Sequence, residues 1–165
     1  MSVDDLQIEK ATTADLDEIL ELLRGSSLPP DGVAEHLSDF FVARDSTGRL
    51  VACAGLERYG ATGLLRSVAV NSELQKSGLG SRLVCRVLDE ARHTGIDDVV
   101  LLTTTARDFF ARRFGFKETT RDPYAAQLAT SVEWQLPRCS SAVVMSLRTE
   151  WKHKYRGATE HPHSR

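Results

Sequence analysis

The spacing of apolar and polar positions divides the chain into short strand-like and helix-like stretches. Leu6-Gln7-Ile8-Glu9-Lys10 alternates at the strand period of two. Leu16, Ile19, Leu20, Leu22 and Leu23 recur at helical spacing. Thr12 or Thr13 is placed to cap that helix, acids stand in its first turns, and Gly25 ends it. Leu28-Pro29-Pro30-Asp31-Gly32 reads as a loop, and Val33 to Leu37 as a second short helix. Phe40 to Arg44 and Arg49 to Leu56 form the two arms of an expected hairpin around Asp45-Ser46-Thr47-Gly48. A further turn, Gly60 to Gly63, leads into a buried strand, Leu64 to Val70.

Beyond it, Leu83, Val84, Val87, Leu88 and Ala91 predict a helix over Ser81 to Thr94, and Val99 to Thr103 another buried strand. Ala106 to Arg113 is a short helical pattern closing on Phe114-Gly115-Phe116, and a further strand is expected between it and Arg121. The pattern weakens from Arg121 to Arg138, where a helix from Tyr124 to about Val132 followed by a loop is expected. Ser141 to Leu147 predicts a last strand. The order points to an α/β fold without internal repeats.

Composition narrows the class. A chain of 165 residues suffices for one domain and not for two. Apolar residues make up 41% and charged residues 27%, the balance of a soluble globular protein. The net charge of −2 supplies no basic face for nucleic acid. No apolar run approaches the roughly 20 residues that span a bilayer, so no membrane partner is expected. The acidic N-terminus lacks the apolar core of a secretion signal. Cys53, Cys85 and Cys139 are odd in number and widely spaced, which argues against a disulfide framework and for a reducing, cytoplasmic compartment. From Thr149 onward the apolar pattern ends, so residues 149–165 are expected to be a mobile tail behind a domain over residues 1–148. The alternative is a metal- or anion-binding tail. His161 and His163 offer only two ligands, and no metal site is expected.

The candidate chemistry begins at Gln75-Lys76-Ser77-Gly78-Leu79-Gly80, between a strand and a helix. A glycine turn there aims unpaired backbone N–H groups outward, and the helix dipole adds positive charge. Gly78 and Gly80 lack a Cβ and allow close approach. The site suits a phosphate or pyrophosphate. It is no P-loop, because G-x-x-x-x-G-K-[ST] is absent, and no dinucleotide fingerprint, because no third glycine follows at the required spacing. A bare glycine turn without a ligand remains the alternative.

With Val68-Ala69-Val70 before the loop, a helix after it, and Gly115-Phe116 closing the next helix, the chain resembles the GNAT family of N-acetyltransferases. The resemblance runs from about Leu6 to Leu147. Leu101 to Thr105, Phe109-Phe110 and Cys139 to Ala142 are most similar to two groups within it. These are the small acetyltransferases of bacterial arsenic-resistance operons and the acetyltransferase domain of N-acetylglutamate synthases.

The resemblance implies a mixed, mostly antiparallel sheet splayed in the middle, with helices on both faces. It implies acetyl-CoA as co-substrate, lying in the splay. Backbone groups of Val68, Ala69 and Val70 would pair with the pantetheine arm. Amides of Gln75, Lys76, Ser77, Gly78, Leu79, Gly80 and Ser81 would hold the pyrophosphate. Phe109 and Phe110 would pack on the core and on the arm.

The family's usual glutamate falls at about Leu64, and its usual tyrosine acid at Ala111. Glu57 is then the nearest candidate base, acting directly or through water. Its alternative is a solvated strand-end carboxylate beside Arg58. Arg66 interrupts an apolar strand, and by alternation it shares a face with Leu64 and Val68. It either aims into the cleft, to hold an anionic acceptor together with Thr104, or pairs with a surface acid on the far side. Cys53 and Cys85 read as core residues, and without a C-x-x-C pair no three-thiol site with Cys139 is expected.

The expected activity is N-acetylation of a small amine. The acceptor would be an amino acid or an amino-acid-like toxic compound, with arsenic resistance as a context. The chain would work as a monomer or homodimer. The alternatives are a peptide or protein N-acetyltransferase and a non-catalytic acyl-CoA-binding module.

Overall fold

The computed structural model describes residues 6–139 and 141–149. Seven strands form one sheet: β1 (Ile8–Lys10), β2 (Phe40–Arg44), β3 (Leu50–Tyr59), β4 (Thr62–Val70), β5 (Asp98–Thr103), β6 (Lys117–Thr119) and β7 (Val143–Arg148). Their spatial order is β1-β2-β3-β4-β5-β7-β6. Only β4 and β5 run parallel, because the helix α2 (Leu79–His93) carries the chain back across the sheet between them. The remaining pairs are antiparallel. The other α-helices are α1 (Leu16–Gly25), α3 (Arg107–Phe114) and the single turn α4 (Val132–Gln135).

Helices cover both faces. On one face, α2 buries Leu79, Leu83, Val84, Val87, Leu88 and Ala91 at helical spacing against Leu56, Leu65, Val99 and Leu101. Phe110, Phe114 and Phe116 extend that core around α3. Gly115, at φ +80°, ends α3 in the left-handed conformation and turns Phe116 back onto Phe110. On the other face, Ile19 and Leu23 of α1 pack with Phe40, Val42 and Cys53. Leu128 and Trp134 cover Leu64, Val100 and Val144 on that same side of the sheet.

Several boundaries differ from the sequence reading. The turn before β4 is shorter, since Thr62 and Gly63 already pair with Tyr59 and Arg58. The second short helix is a 3₁₀ helix, Ala34–Asp39, and the strand expected after the 106–113 helix is the short edge strand Lys117–Thr119. No α-helix runs from Tyr124 to Val132. A 3₁₀ turn spans Asp122–Tyr124, and α4 starts where the expected helix would end. The cause is Ser131, whose hydroxyl accepts the Trp134 N–H at 3.1 Å and makes it an N-cap. Thr149, assigned to the tail, is buried, and its hydroxyl donates to the Ile96 carbonyl at 2.6 Å. The rest of the expected tail, residues 150–165, lies outside the described residues.

Candidate functional site

The pairing of β4 with β5 stops at Leu65 opposite Leu101. Both strands continue, β4 to Val70 and β5 to Thr103, and a cleft of about 770 Å³ opens between them. The divergence has a local cause. On the β3 side, Gly55 pairs with Arg66 and Cys53 with Ala69, so Ser67 and Val68 together face Ala54. This is a β-bulge, with Ser67 at φ +60°.

The bulge also reverses the alternation of side chains. Leu64 and Arg66 point to the α1 side, whereas Val68 and Val70 join Leu65 on the α2 side. Arg66 and Val68 therefore do not share a face, contrary to the alternation drawn from the sequence. Val68 and Val70 line the cleft. The Ala69 side chain turns away into the α1 core.

At one end the cleft meets the glycine loop. Asn71 caps a 3₁₀ turn, Ser72–Leu74, by accepting the Glu73 N–H at 3.0 Å. Lys76 at φ +65° and Gly78 at φ +92° then bend the chain into α2. An ideal Cβ on Gly80 would lie 3.5 Å from Val70 Cγ2, which marks how closely loop and strand approach. Gln75, Lys76, Gly78, Gly80 and Ser81 line the cleft. Ser77 instead receives the Leu79 N–H on its hydroxyl, and the Leu79 side chain is buried in the core.

No acid stands in the first turn of α2. Arg113, from α3, lines the cleft and donates from Nε to Ser81 Oγ at 3.1 Å. The N-terminus of α2 and the cations Lys76 and Arg113 give this end a positive potential suited to an anion. Phe109 and Phe110 form the apolar wall between it and the opposite end. Such a cleft, with a positive end, an unpaired strand edge and an apolar wall, fits a long phosphorylated thioester such as acetyl-CoA. Arg113 was not singled out in the sequence, where it reads as one cation of an exposed helix.

At the other end lies a buried polar cluster. Arg66 has a fully buried side chain, engaged at every nitrogen. Nη1 donates to Glu57 Oε2 at 2.7 Å and to the Asp31 carbonyl at 2.7 Å. Nη2 donates to the Pro29 carbonyl at 3.0 Å. Nε donates to Ser67 Oγ at 2.9 Å and lies 3.2 Å from Glu133 Oε1. Arg66 reaches the cleft, the first of its two expected placements, and is paired there with two buried carboxylates rather than with a surface acid on the far side.

Glu57 is fully buried beneath the cleft floor and is not among the lining residues. It is therefore not the solvated strand-end carboxylate considered as its alternative. Ser131 Oγ donates to Glu57 Oε1 at 2.7 Å, Tyr59 donates to the same oxygen, and His36 Nε2 is 3.8 Å away. Burial pushes the Glu57 carboxyl up. Hydrogen bonds from Tyr59, Ser131 and Arg66, with the Arg66 charge, outweigh it and hold the group below its ordinary value. The Tyr59 hydroxyl is pushed up to about 12, first by burial and then by donating to Glu57.

Thr104 is exposed at the end of β5 and lines the cleft, as do Glu133 and Cys139. Ala111 is exposed and has no proton to give. The Cys53 thiol is buried, which pushes it up to about 12, and it donates to the Ser67 carbonyl. Among the described residues no cluster of histidine, cysteine or acid has the makings of a metal site. Glu133, Ser131 and Tyr59 escaped the sequence reading. Only Ser131, a capping residue ahead of an apolar-acidic turn, left a local signal.

Residues 5–116 match the model of the acetyltransferase (GNAT) family. The chain belongs to that family. An amino-acid acetyltransferase of Neisseria meningitidis is 29% identical over 128 residues, 71% of this chain and 28% of the relative. An amino-acid acetyltransferase of Mycobacterium tuberculosis is 31% identical over 130 residues, 73% of this chain and 74% of the relative. Among solved structures, N-acetylglutamate synthase of Neisseria gonorrhoeae, in complex with coenzyme A and N-acetyl-glutamate, superimposes with a TM-score of 0.71 at 24% identity. That match covers 87% of this chain and 35% of the synthase. The chain thus spans about a third or less of the Neisseria proteins and most of the mycobacterial one. The fold is the GNAT fold, with its splay where β4 and β5 part. No helix among the described residues is long and apolar enough to cross a membrane.

Proposed function

We propose that this GNAT-family protein transfers the acetyl group of acetyl-CoA to the amino group of a small acceptor, an amino acid or an amino-acid-like toxic compound. The observation that carries the reading is the placement of the glycine loop and the parted β4 and β5 strands along one cleft. Amides of the 75–81 loop, with Lys76 and Arg113, hold the pyrophosphate. The free edge of β4 at Val68 and Val70 pairs with the pantetheine arm, and Phe109 and Phe110 pack beside it. The arm directs its thioester toward the polar end, where Arg66 and Thr104 meet the acceptor. Glu57 acts through Arg66, as a positioning residue that fixes the guanidinium.

The names of the relatives support an amino acid as acceptor. The wall formed by Glu133, Cys139 and Ala142 favours a compact acceptor over a peptide. An arsenic- or phosphorus-containing amino acid belongs to the same chemical class, and arsenic resistance is the finer form of the proposal. The three free cysteines suit a reducing cytoplasm. The protein acts there as a monomer or homodimer.

The test is thiol release from acetyl-CoA with the twenty L-amino acids, a phosphinic-acid amino acid, a tripeptide and no acceptor. Acceptor-dependent release with amino acids and not with the tripeptide is expected. Release only with the tripeptide would replace the acceptor class. Binding of coenzyme A without any release would make the protein a non-catalytic acyl-CoA module.

A further inference from the structure

Glu133 is the one carboxylate among the described residues that line the cleft. It arrives there on α4, from the C-terminal part of the chain, with a side chain only 7% exposed. Its position is fixed from two sides. Arg66 Nε holds Oε1 at 3.2 Å, and Arg66 is itself held by Glu57 and by the carbonyls of Pro29 and Asp31. Ser131 holds the helix, accepting the Trp134 N–H at 3.1 Å while donating to Glu57 at 2.7 Å. The carboxylate therefore stands beside Arg66 and Ser67, at the bulge where β4 leaves β5.

Transfer to an amine needs a proton acceptor within reach of the acceptor nitrogen. Glu57 lies under the floor, with its oxygens taken by Arg66, Ser131 and Tyr59. No histidine or tyrosine is among the described lining residues. We propose that Glu133 receives the proton of the acceptor ammonium and is the catalytic base. This rests on the acetyl-transfer reading given above.

The ammonium gives one proton to the Glu133 carboxylate. The freed lone pair forms the C–N bond at the thioester carbonyl carbon. As the tetrahedral adduct collapses, the C–S bond breaks and its electron pair leaves on sulfur. The second nitrogen proton passes to that sulfur, and the proton on Glu133 goes to solvent. The sum is amide, free thiol and one released proton.

The experiment compares the unsubstituted protein with Glu133→Gln and Glu133→Asp, using the best amino acid from the acceptor panel. In Glu133→Gln, kcat/KM for that amino acid should fall about 100-fold or more near pH 7. The deficit should shrink as pH rises from about 7 to about 9, because more acceptor then arrives as the free amine. Coenzyme A affinity by calorimetry and the thermal midpoint should hold, and Glu133→Asp should recover part of the rate. A kcat/KM for Glu133→Gln within about threefold of the unsubstituted protein would overturn the assignment, since a lost base costs far more. So would an equal deficit at every pH, or a deficit matched by lost coenzyme A affinity. No thiol release from the unsubstituted protein with any amine would overturn the acetyl-transfer reading itself, and this one with it.

Discussion

Arg66 stands out in the sequence as a lone cation in an apolar strand, and the structure supplies its partners. A guanidinium in a strand built for burial must find anionic partners, because an isolated charge there is too costly. It finds Glu57 at 2.7 Å and Glu133 at 3.2 Å, one from the neighbouring strand and one from the far end of the chain. Such a cluster adds little net stability, since desolvating the three groups offsets most of the attraction, but losing one member leaves the others buried and unpaired. Arg66→Ala should therefore cost about 3–5 kcal/mol of stability. Urea denaturation checks it, and a loss below about 1 kcal/mol, the scale of an exposed pair, would mean that the carboxylates are held by something else. The sign of the Glu57 contribution follows from its lowered folded value. Its share of the stability is present above the ordinary glutamate range and is lost as pH falls through the folded value.

Among the elements, the loop into α2 is where backbone conformation and ligand chemistry coincide. Gly78 has φ +92° and no heavy atom within 4 Å of its missing Cβ, so the space beside it is open to a ligand. A side chain there is both strained and in the way. Gly78→Glu adds a negative charge at the dipole end that should hold pyrophosphate. Loss of coenzyme A binding in a folded variant is expected, and unchanged affinity by calorimetric titration would remove the loop from the cofactor site. The β4 bulge is the second such element. One extra residue at Ser67 both turns Val68 to the cofactor side and leaves Arg66 facing the acceptor side. It could not be read from Leu64-Leu65-Arg66-Ser67-Val68-Ala69-Val70, because a bulge is fixed by pairing with β3 and not by composition.

For the molecule as a whole, the cleft joins both parted strands, the start of α2, α3, and the segment that carries α4. A ligand that touches all of them stabilises the global fold by mass action. Coenzyme A at about 100 times its dissociation constant should add about 2.7 kcal/mol, and for a chain of this size a thermal midpoint shift of roughly 5–11 °C. A scan with and without coenzyme A measures it, and an unshifted midpoint at saturating ligand would argue against the cleft as the binding site. The strands, the α2 helix, the glycine loop and the Gly115-Phe116 closure were legible from the sequence alone. Each is fixed by interactions within a few residues: apolar periodicity, capping, and the conformations that glycine allows. The acceptor end was not legible. Glu57 and Arg66 meet across a strand pair, and Ser131 reaches Glu57 from 74 residues away. Carboxylates look alike along a chain, and only the packing of α4 over the splayed sheet decides that Glu57 is sealed beneath the floor while Glu133 faces the cleft.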